Sequence, residues 1–233
     1  MANVPAIASR RLVPELLDFL PPDDRRAIGA RRDLVWVNAF MLQVPIMRGL
    51  LTRHCNGAPR RLVDVGAGDG RFMLAVARRL ASRWPGVELT LLDRTACVEP
   101  ATLDAFARLG WQARVLRADI FEWSKAAPAG SFDIVTANLF LHHFEDERLA
   151  ELFSLIRLLA PLFIATEPLR SSLALLGARL LPLIGVNAIT RHDAVVSVRA
   201  GFRGRELSAL WQGRVLEERS AGLYTHAFAA AES

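Results

Sequence analysis

An α/β fold with a parallel sheet and right-handed crossovers is predicted by three features of the 233-residue sequence. Short apolar runs alternate with longer amphipathic ones, the rhythm of strand, helix, strand. The run Leu62-Val63-Asp64-Val65 enters a glycine-rich turn that opens a helical pattern. Apolar residues make up 52% of the chain and charged ones 23%, enough to bury a large core without disulfide or metal staples and far from a disordered or collagen-like composition.

In chain order, Arg10 to Leu20 and Asp24 to Arg53 are expected as helices separated by Pro21-Pro22, with Asp23 or Asp24 as N-cap. The expected parallel strands are Arg61 to Val65, Glu88 to Leu92, Gln112 to Leu116, Phe132 to Thr136 and Leu162 to Glu167. Between them, Gly70 to Ala81 places Phe72, Met73, Val76 and Leu80 on one stripe, and Glu147 to Leu159 does the same with Leu149, Leu152, Phe153 and Ile156. After Glu167-Pro168 the rhythm breaks. An oily segment, Ser171 to Thr190, precedes helices at Asp193 to Arg199 and Arg205 to Trp211, with Thr190 and Asp193 as candidate helix starters. Arg214 to Glu218 and Leu223 to Ala229 leave no room for a helix between them, so they are expected as an antiparallel hairpin at the sheet edge. This divides the chain into an N-terminal helical cap, 1–60, and a main domain, 61–233, with an apolar helical insert at 171–200.

Charge and cysteine content exclude several classes of function. The net charge of +5 comes from the flanks: residues 1–60 hold 9 basic and 5 acidic side chains, 61–170 hold 13 and 14, and 171–233 hold 7 and 5. The arginines are dispersed and not interleaved with aromatics, which argues against a nucleic-acid partner. Cys55 and Cys97 form no CxxC pair, so a structural metal is not expected and a reducing compartment is. Prolines 5, 14, 21 and 22 interrupt any secretory signal near the start. Gly177, Pro182, Gly185 and Asn187 break the oily segment, so no membrane span is expected there, although peripheral contact is compatible with it. A cytoplasmic monomer or homodimer is the expectation.

The most informative residues are Gly66, Ala67, Gly68, Asp69 and Gly70. Glycines at such a turn permit positive φ and let a ligand lie against bare amides, with a helix N-terminus favouring an anionic group. The spacing is GxGxG, and a dinucleotide fingerprint would want glycine at Arg71. A nucleotide-dependent oxidoreductase is thereby disfavoured.

With Asp64 two residues before the first glycine, Asp93 ending LTLLD and Asp119-Ile120 following the third strand, the chain resembles the class I S-adenosylmethionine-dependent methyltransferases, in particular bacterial small-molecule enzymes of the ubiquinone-biosynthesis-like and natural-product groups. The resemblance implies a seven-stranded Rossmann-like sheet of order 3-2-1-4-5-7-6 with the last strand antiparallel. It implies S-adenosyl-L-methionine as cofactor, held by Asp64, Gly66, Ala67, Gly68, Gly70, Asp93, Arg94, Asp119, Ile120 and Asn138. Asp93 would accept from both ribose hydroxyls, and Asp119 would lie near the adenine amino group.

Asn138 begins Asn-Leu-Phe-Leu, a departure from the Asn or Asp followed by Pro-Pro-Tyr of nucleobase and glutamine N-methyltransferases, and the LHHF segment looks like that of small-molecule enzymes. A histidine, titrating near pH 6.5 when free, suits removal of a phenolic proton during methyl transfer, so His142 or His143 is the candidate base. No metal ligand set is expected. Trp36 and Phe40 in the N-terminal helices, Leu176 and Leu180 in the insert and His192 beyond it are the candidate acceptor wall. The insert's stripe of Leu173, Leu176, Leu180 and Leu183 fits a lid, core packing or a dimer contact equally. A small apolar or aromatic acceptor, methylated on oxygen, is the reading; C-methylation of an activated ring and a non-catalytic cofactor-binding role stay open beside it.

Overall fold

The computed structural model describes residue 7, residues 9–95 and residues 97–232. The first six residues of the predicted cap therefore lie outside it. Seven strands form one sheet: β1 (Arg61–Val65), β2 (Glu88–Asp93), β3 (Gln112–Arg117), β4 (Ile134–Asn138), β5 (Leu162–Pro168), β6 (Arg214–Ala221) and β7 (Thr225–Ala231). Their order is β3-β2-β1-β4-β5-β7-β6, the order implied by the resemblance. The first five are parallel, and β7 runs antiparallel between β5 and β6. Because the chain winds outward in both directions from β1 and β4, the crevice at their carboxyl ends is the topological switch point where such sheets take ligands.

The helices are α1 (Arg25–Phe40), α2 (Gln43–His54), α3 (Arg71–Leu80), α4 (Pro100–Arg108), α5 (Ile120–Ala126), α6 (Asp146–Leu159), α7 (Ser172–Leu180), α8 (Ala188–Ala200) and α9 (Glu206–Leu210). One face of the sheet packs against α2, α3 and α4 through Met47, Leu50, Met73, Val76 and Phe106. The other packs against α5, α6 and α9, where Phe153, Phe163, Trp211 and Phe228 form an aromatic cluster with centroids 5.3–6.1 Å apart. Both faces are covered, which is why the central strands read as unbroken apolar runs and not as alternating ones.

Local expectations are corrected at several places. The single helix expected over Asp24 to Arg53 is two helices bent by 62°. Proline lacks an N–H and clashes with the carbonyl four residues back, so Pro45 can sit only in a first turn; α2 restarts at Gln43, with Leu42 in a left-handed conformation at φ 56°. Asp24 is the N-cap of α1, accepting from Arg26 N at 2.8 Å. The helix expected at Arg10 to Leu20 is only a 3-10 turn, Leu16–Phe19. Pro14 interrupts that stretch, and the amides of Leu16 and Leu17 donate to the Asp193 carboxylate at 2.8 and 3.0 Å in place of helical carbonyls.

The fourth strand lies two residues later than expected. Phe132 and Asp133 precede its ladder because the Asp133 carboxylate receives the amides of Arg60 and Arg61 at the mouth of β1. The helix placed at Asp193 to Arg199 starts earlier, at Ala188. Its cap is Asn187, whose side chain accepts from Thr190 N at 2.9 Å, so neither Thr190 nor Asp193 starts it. The oily segment is not one element: α7 ends at Leu180, a 3-10 turn covers Leu181–Ile184, and Gly185 at φ 79° separates them from α8. Among the described residues no single helix is long and apolar enough to cross a membrane.

Candidate active site

The glycine turn lies at the carboxyl end of β1. Gly66 N and Ala67 N donate to Leu92 O at 2.9 and 3.1 Å, stitching the turn to β2. Gly68 N donates to the Asp93 carboxylate at 2.9 Å, and the other oxygen of Asp93 accepts from Thr95 N and Oγ1, each at 2.7 Å. Two glycines are required for different reasons. At Gly66, with φ 71°, a Cβ would come within 2.3 Å of the Phe140 ring. At Gly68, with φ 56°, a Cβ would meet nothing within 4 Å, so the amides there border open space. A bare backbone facing open space beside a fixed carboxylate is a cradle that fits a ribosyl ligand with hydroxyls to donate.

Beneath the turn, Asp64 is buried and accepts from Thr136 Oγ1 at 2.7 Å. Burial pushes its carboxyl up to about 7; the Thr136 hydrogen bond opposes this and the negative charge of Asp93 adds to it. Below the ordinary carboxylate range, both folded and unfolded chains are protonated and the group contributes nothing. Between about pH 4 and 7 the unfolded chain ionises first, so stability falls as pH rises, and above 7 the penalty is constant. Asp64→Asn is expected to raise stability at pH 8 by up to about 4 kcal/mol, with the gain gone at pH 4; thermal unfolding at pH 4, 6 and 8 checks this.

Asp119 caps α5, accepting from Phe121 N at 2.8 Å, and Ile120 is the buried first residue of that helix. Arg94 is exposed, and its carbonyl accepts from Arg117 Nε at 3.1 Å. Asn138 ends β4 with both polar atoms engaged: its Oδ1 accepts from Thr166 Oγ1 at 2.9 Å, and its Nδ2 donates to Asn38 Oδ1 at 3.2 Å. Asn38, Thr166 and Phe140 were not singled out by sequence; Asn38 and Thr166 reach Asn138 only because α1 and β5 fold beside β4, and Phe140, two residues past β4, lies against Gly66.

The two histidines differ sharply. His142 is 3% exposed. Its Nδ1 donates to Glu167 at 2.7 Å and its Nε2 to Glu15 at 3.2 Å. Burial would push the imidazole down, but the hydrogen bonds and charges of the two glutamates outweigh it and hold it at about 9. Burial likewise pushes Glu15 up, and its hydrogen bond to His142 with the charges of both histidines overcomes this, leaving it at about 2. Glu167 is fully buried and also receives the amides of Phe140 and Leu141 at 2.9 and 2.8 Å. His142 is thus an imidazolium clamped between carboxylates at neutral pH. His143 is partly exposed, its ring centroid 4.4 Å from that of His142 and its Nδ1 3.5 Å from Asp18. One donor atom each from Glu15, His142 and His143 lie within 4.8 Å of one another, and the glutamate bonds already employ the first two.

Of the candidate acceptor residues, Phe40 stacks on Tyr224 at 4.6 Å, and Gly177 of α7 abuts that pair, where a Cβ would come within 2.8 Å of Tyr224. Trp36, Leu176 and Leu180 are exposed. His192 turns away to Asp193, 2.9 Å from its Nδ1. Two cavities lie elsewhere, of about 460 and 570 Å³. One borders α4 and the other the amino ends of β1, β2 and β3, opposite the glycine turn.

Residues 62–161 match the profile of a methyltransferase-domain family. A malonyl-[acyl-carrier protein] O-methyltransferase from Paenibacillus sp. (strain JDR-2) is 28% identical over 96 residues, 40% of this chain and 33% of that protein. The pyocyanin biosynthetic protein PhzM superposes with a TM-score of 0.60 at 16% identity, covering 94% of this chain and 62% of that one. The plantazolicin methyltransferase BpumL, in complex with a monoazolic desmethylPZN analog and SAH, superposes at 0.59 with 15% identity, covering 91% of both chains. The structural likenesses establish the shared fold. The chain spans a third to two fifths of the length of the curated relatives it matches.

Proposed function

We propose that this chain, whose residues 62–161 match a methyltransferase-domain family, transfers the methyl group of S-adenosyl-L-methionine to a hydroxyl of a small, largely apolar acceptor of phenolic or polyketide type. The observation that carries the reading is the Gly68 amide on the Asp93 carboxylate, beside open space at the carboxyl ends of β1 and β2. The cofactor, when bound, supplies an electrophilic methyl on a sulfonium. The ribose hydroxyls fall to Asp93, the aminoacyl end to the turn from Asp64 through Gly66, Ala67, Gly68 and Gly70, and the adenine to the edge formed by Arg94, Asp119 and Ile120. Asn138, held by Thr166 and Asn38, fixes the end of β4 where the acceptor oxygen must align for in-line displacement.

In this reading the general base is His143. His142 already carries its proton between two carboxylates, so it acts as the post that holds the loop in place. Phe40, stacked on Tyr224, is the apolar side of the acceptor site, and the exposed Trp36, Leu176 and Leu180 continue it outward as its mouth. The pyocyanin and plantazolicin enzymes among the structural relatives support a small acceptor.

Calorimetry with S-adenosylhomocysteine and with NADH tests the cofactor reading. Binding of the former alone is expected, with Asp93→Ala weakening it about 100-fold through loss of charged hydrogen bonds. Binding of NADH alone sinks it. Product analysis with phenolic acceptors then separates O-methyl from ring-methyl products.

A further inference from the structure

We propose that the outer face of α1 and α7 is a docking surface for an anionic lipid bilayer. The outer ladder of α1 is Ile28, Arg32, Trp36 and Phe40, spaced every fourth residue and exposed throughout. The outer ladder of α7 and the turn after it is Leu173, Leu176, Leu180 and Leu183, with Arg179 exposed beside it. The two ladders adjoin: Val37 and Met41 of the first segment pack with Leu181 and Val186 of the second, and Phe40 lies against Gly177. Leu42 and Leu223 are exposed too, and the turn at Gly222, beside Leu42, leads into the Tyr224 that stacks on Phe40. Trp36 is 68% exposed and Leu183 is 80% exposed, and a contiguous apolar patch of this kind is uncommon on a monomer without a partner.

Charge selects the partner. Asp33 is the only acid in α1, and its carboxylate is turned inward to Asn187 N and Thr190 Oγ1. Arg25–Phe40 otherwise carries Arg25, Arg26, Arg31 and Arg32, of which Arg26 is paired with the N-cap Asp24, and Ser172–Leu180 holds Arg179 and no acid. The two segments that build the patch belong to the flanks that hold the chain's positive excess, while residues 61–170 carry one more acid than base. A second copy placed on this face would bring arginine toward arginine. An anionic bilayer takes the leucines and Trp36 into its acyl boundary and the arginines at its headgroups. An acceptor dissolved in that bilayer would then reach the apolar wall at Phe40 and Leu176 without crossing water, a consequence that rests on the proposed function; the docking itself does not.

The test uses the full chain without cofactor or acceptor. Vesicles of phosphatidylcholine containing about one third phosphatidylglycerol are expected to sediment the protein, and vesicles of phosphatidylcholine alone to leave it free. Trp84, Trp111 and Trp211 are buried and Trp123 is half-buried. A blue shift of emission on binding should therefore come from Trp36 and vanish in Trp36→Phe while sedimentation persists. Arg32→Glu/Arg179→Glu is expected to lower partitioning at least about 25-fold, as should high salt, with melting temperature and S-adenosylhomocysteine affinity unchanged. No binding to anionic vesicles, binding indifferent to salt and to the double variant, or a stable dimer in which Trp36 is already shielded would each overturn the proposal. Methyl transfer in solution without vesicle binding would overturn the docking and leave the enzyme reading standing.

Discussion

His143→Ala is expected to slow turnover about 10²–10⁴-fold while leaving the affinity for S-adenosylhomocysteine unchanged. The imidazole is partly exposed in the 3-10 turn that follows β4, and its Nδ1 lies 3.5 Å from Asp18, too far for a firm hydrogen bond. It is therefore the histidine of the pair with a nitrogen to offer. Two readouts separate base catalysis from a merely structural role. The acidic limb of the kcat profile should flatten in the variant, and acceptors with strongly acidic hydroxyls, which need no base, should lose much less than ordinary phenols. His142→Ala should behave differently, lowering stability along with rate. If both variants turned over the true acceptor at the wild-type rate, the histidine mechanism would be wrong.

Glu167→Ala is expected to cost about 3–5 kcal/mol of stability, the penalty for stranding a buried charge, and to lower the melting temperature by roughly 10 °C for a chain of this size. The carboxylate holds the His142 ring and the amides of Phe140, Leu141 and His142 at once, so its loss strips the imidazolium of one of its two carboxylates and leaves those buried N–H groups without their acceptor. Glu167→Gln, which keeps an oxygen for the amides and loses only the charge, should cost less. The pH dependence follows from the raised and lowered partners. His142 is held above its unfolded value, so its contribution is complete below about pH 6.5 and is lost as pH rises through about 9. Glu15 is held below its unfolded value, so its contribution is complete above about pH 4.5 and is lost as pH falls through about 2. The clamp is strongest between those limits, and alkaline medium should loosen the N-terminal segment that carries Glu15 before the sheet unfolds. Amide hydrogen exchange of residues 9–20 between pH 6 and 10 would show this; uniform protection across that range would refute it.

Much of the fold was legible because its signals are local. An apolar strand, a glycine turn and an amphipathic helix each declare themselves within about ten residues, and β1, β2, β3 and β5 lie where periodicity puts them. The errors lie where distant groups compete for the backbone. Asp193 removes the amides of Leu16 and Leu17 from a helix that residues 10–20 would otherwise be free to form, and Asp133 delays β4 by bonding to the start of β1. The break at Leu42 carried a local signal, Pro45, which the apolar periodicity outweighed. In the site, the glycines and Asp93 stood out by spacing, and their hydrogen bond joins them across the chain. Glu167 left a trace as the one acid at the end of an otherwise apolar strand, but Glu15 left none.

The sequence by itself determined the α/β class, the glycine turn that opens α3, and the pairing of two histidines after β4, since each depends on neighbours a few residues apart. Only the tertiary structure decided that the histidines are not equivalent, because protonation is set by charges brought from Glu15, 127 residues away, and Glu167, 25 residues away. It also decided that the apolar stripe of the insert faces outward beside Trp36 and Arg32. Helical spacing says which side chains share a face, and only the packing of α7 on Tyr224 and Phe40 says which face is left to the solvent or to a membrane.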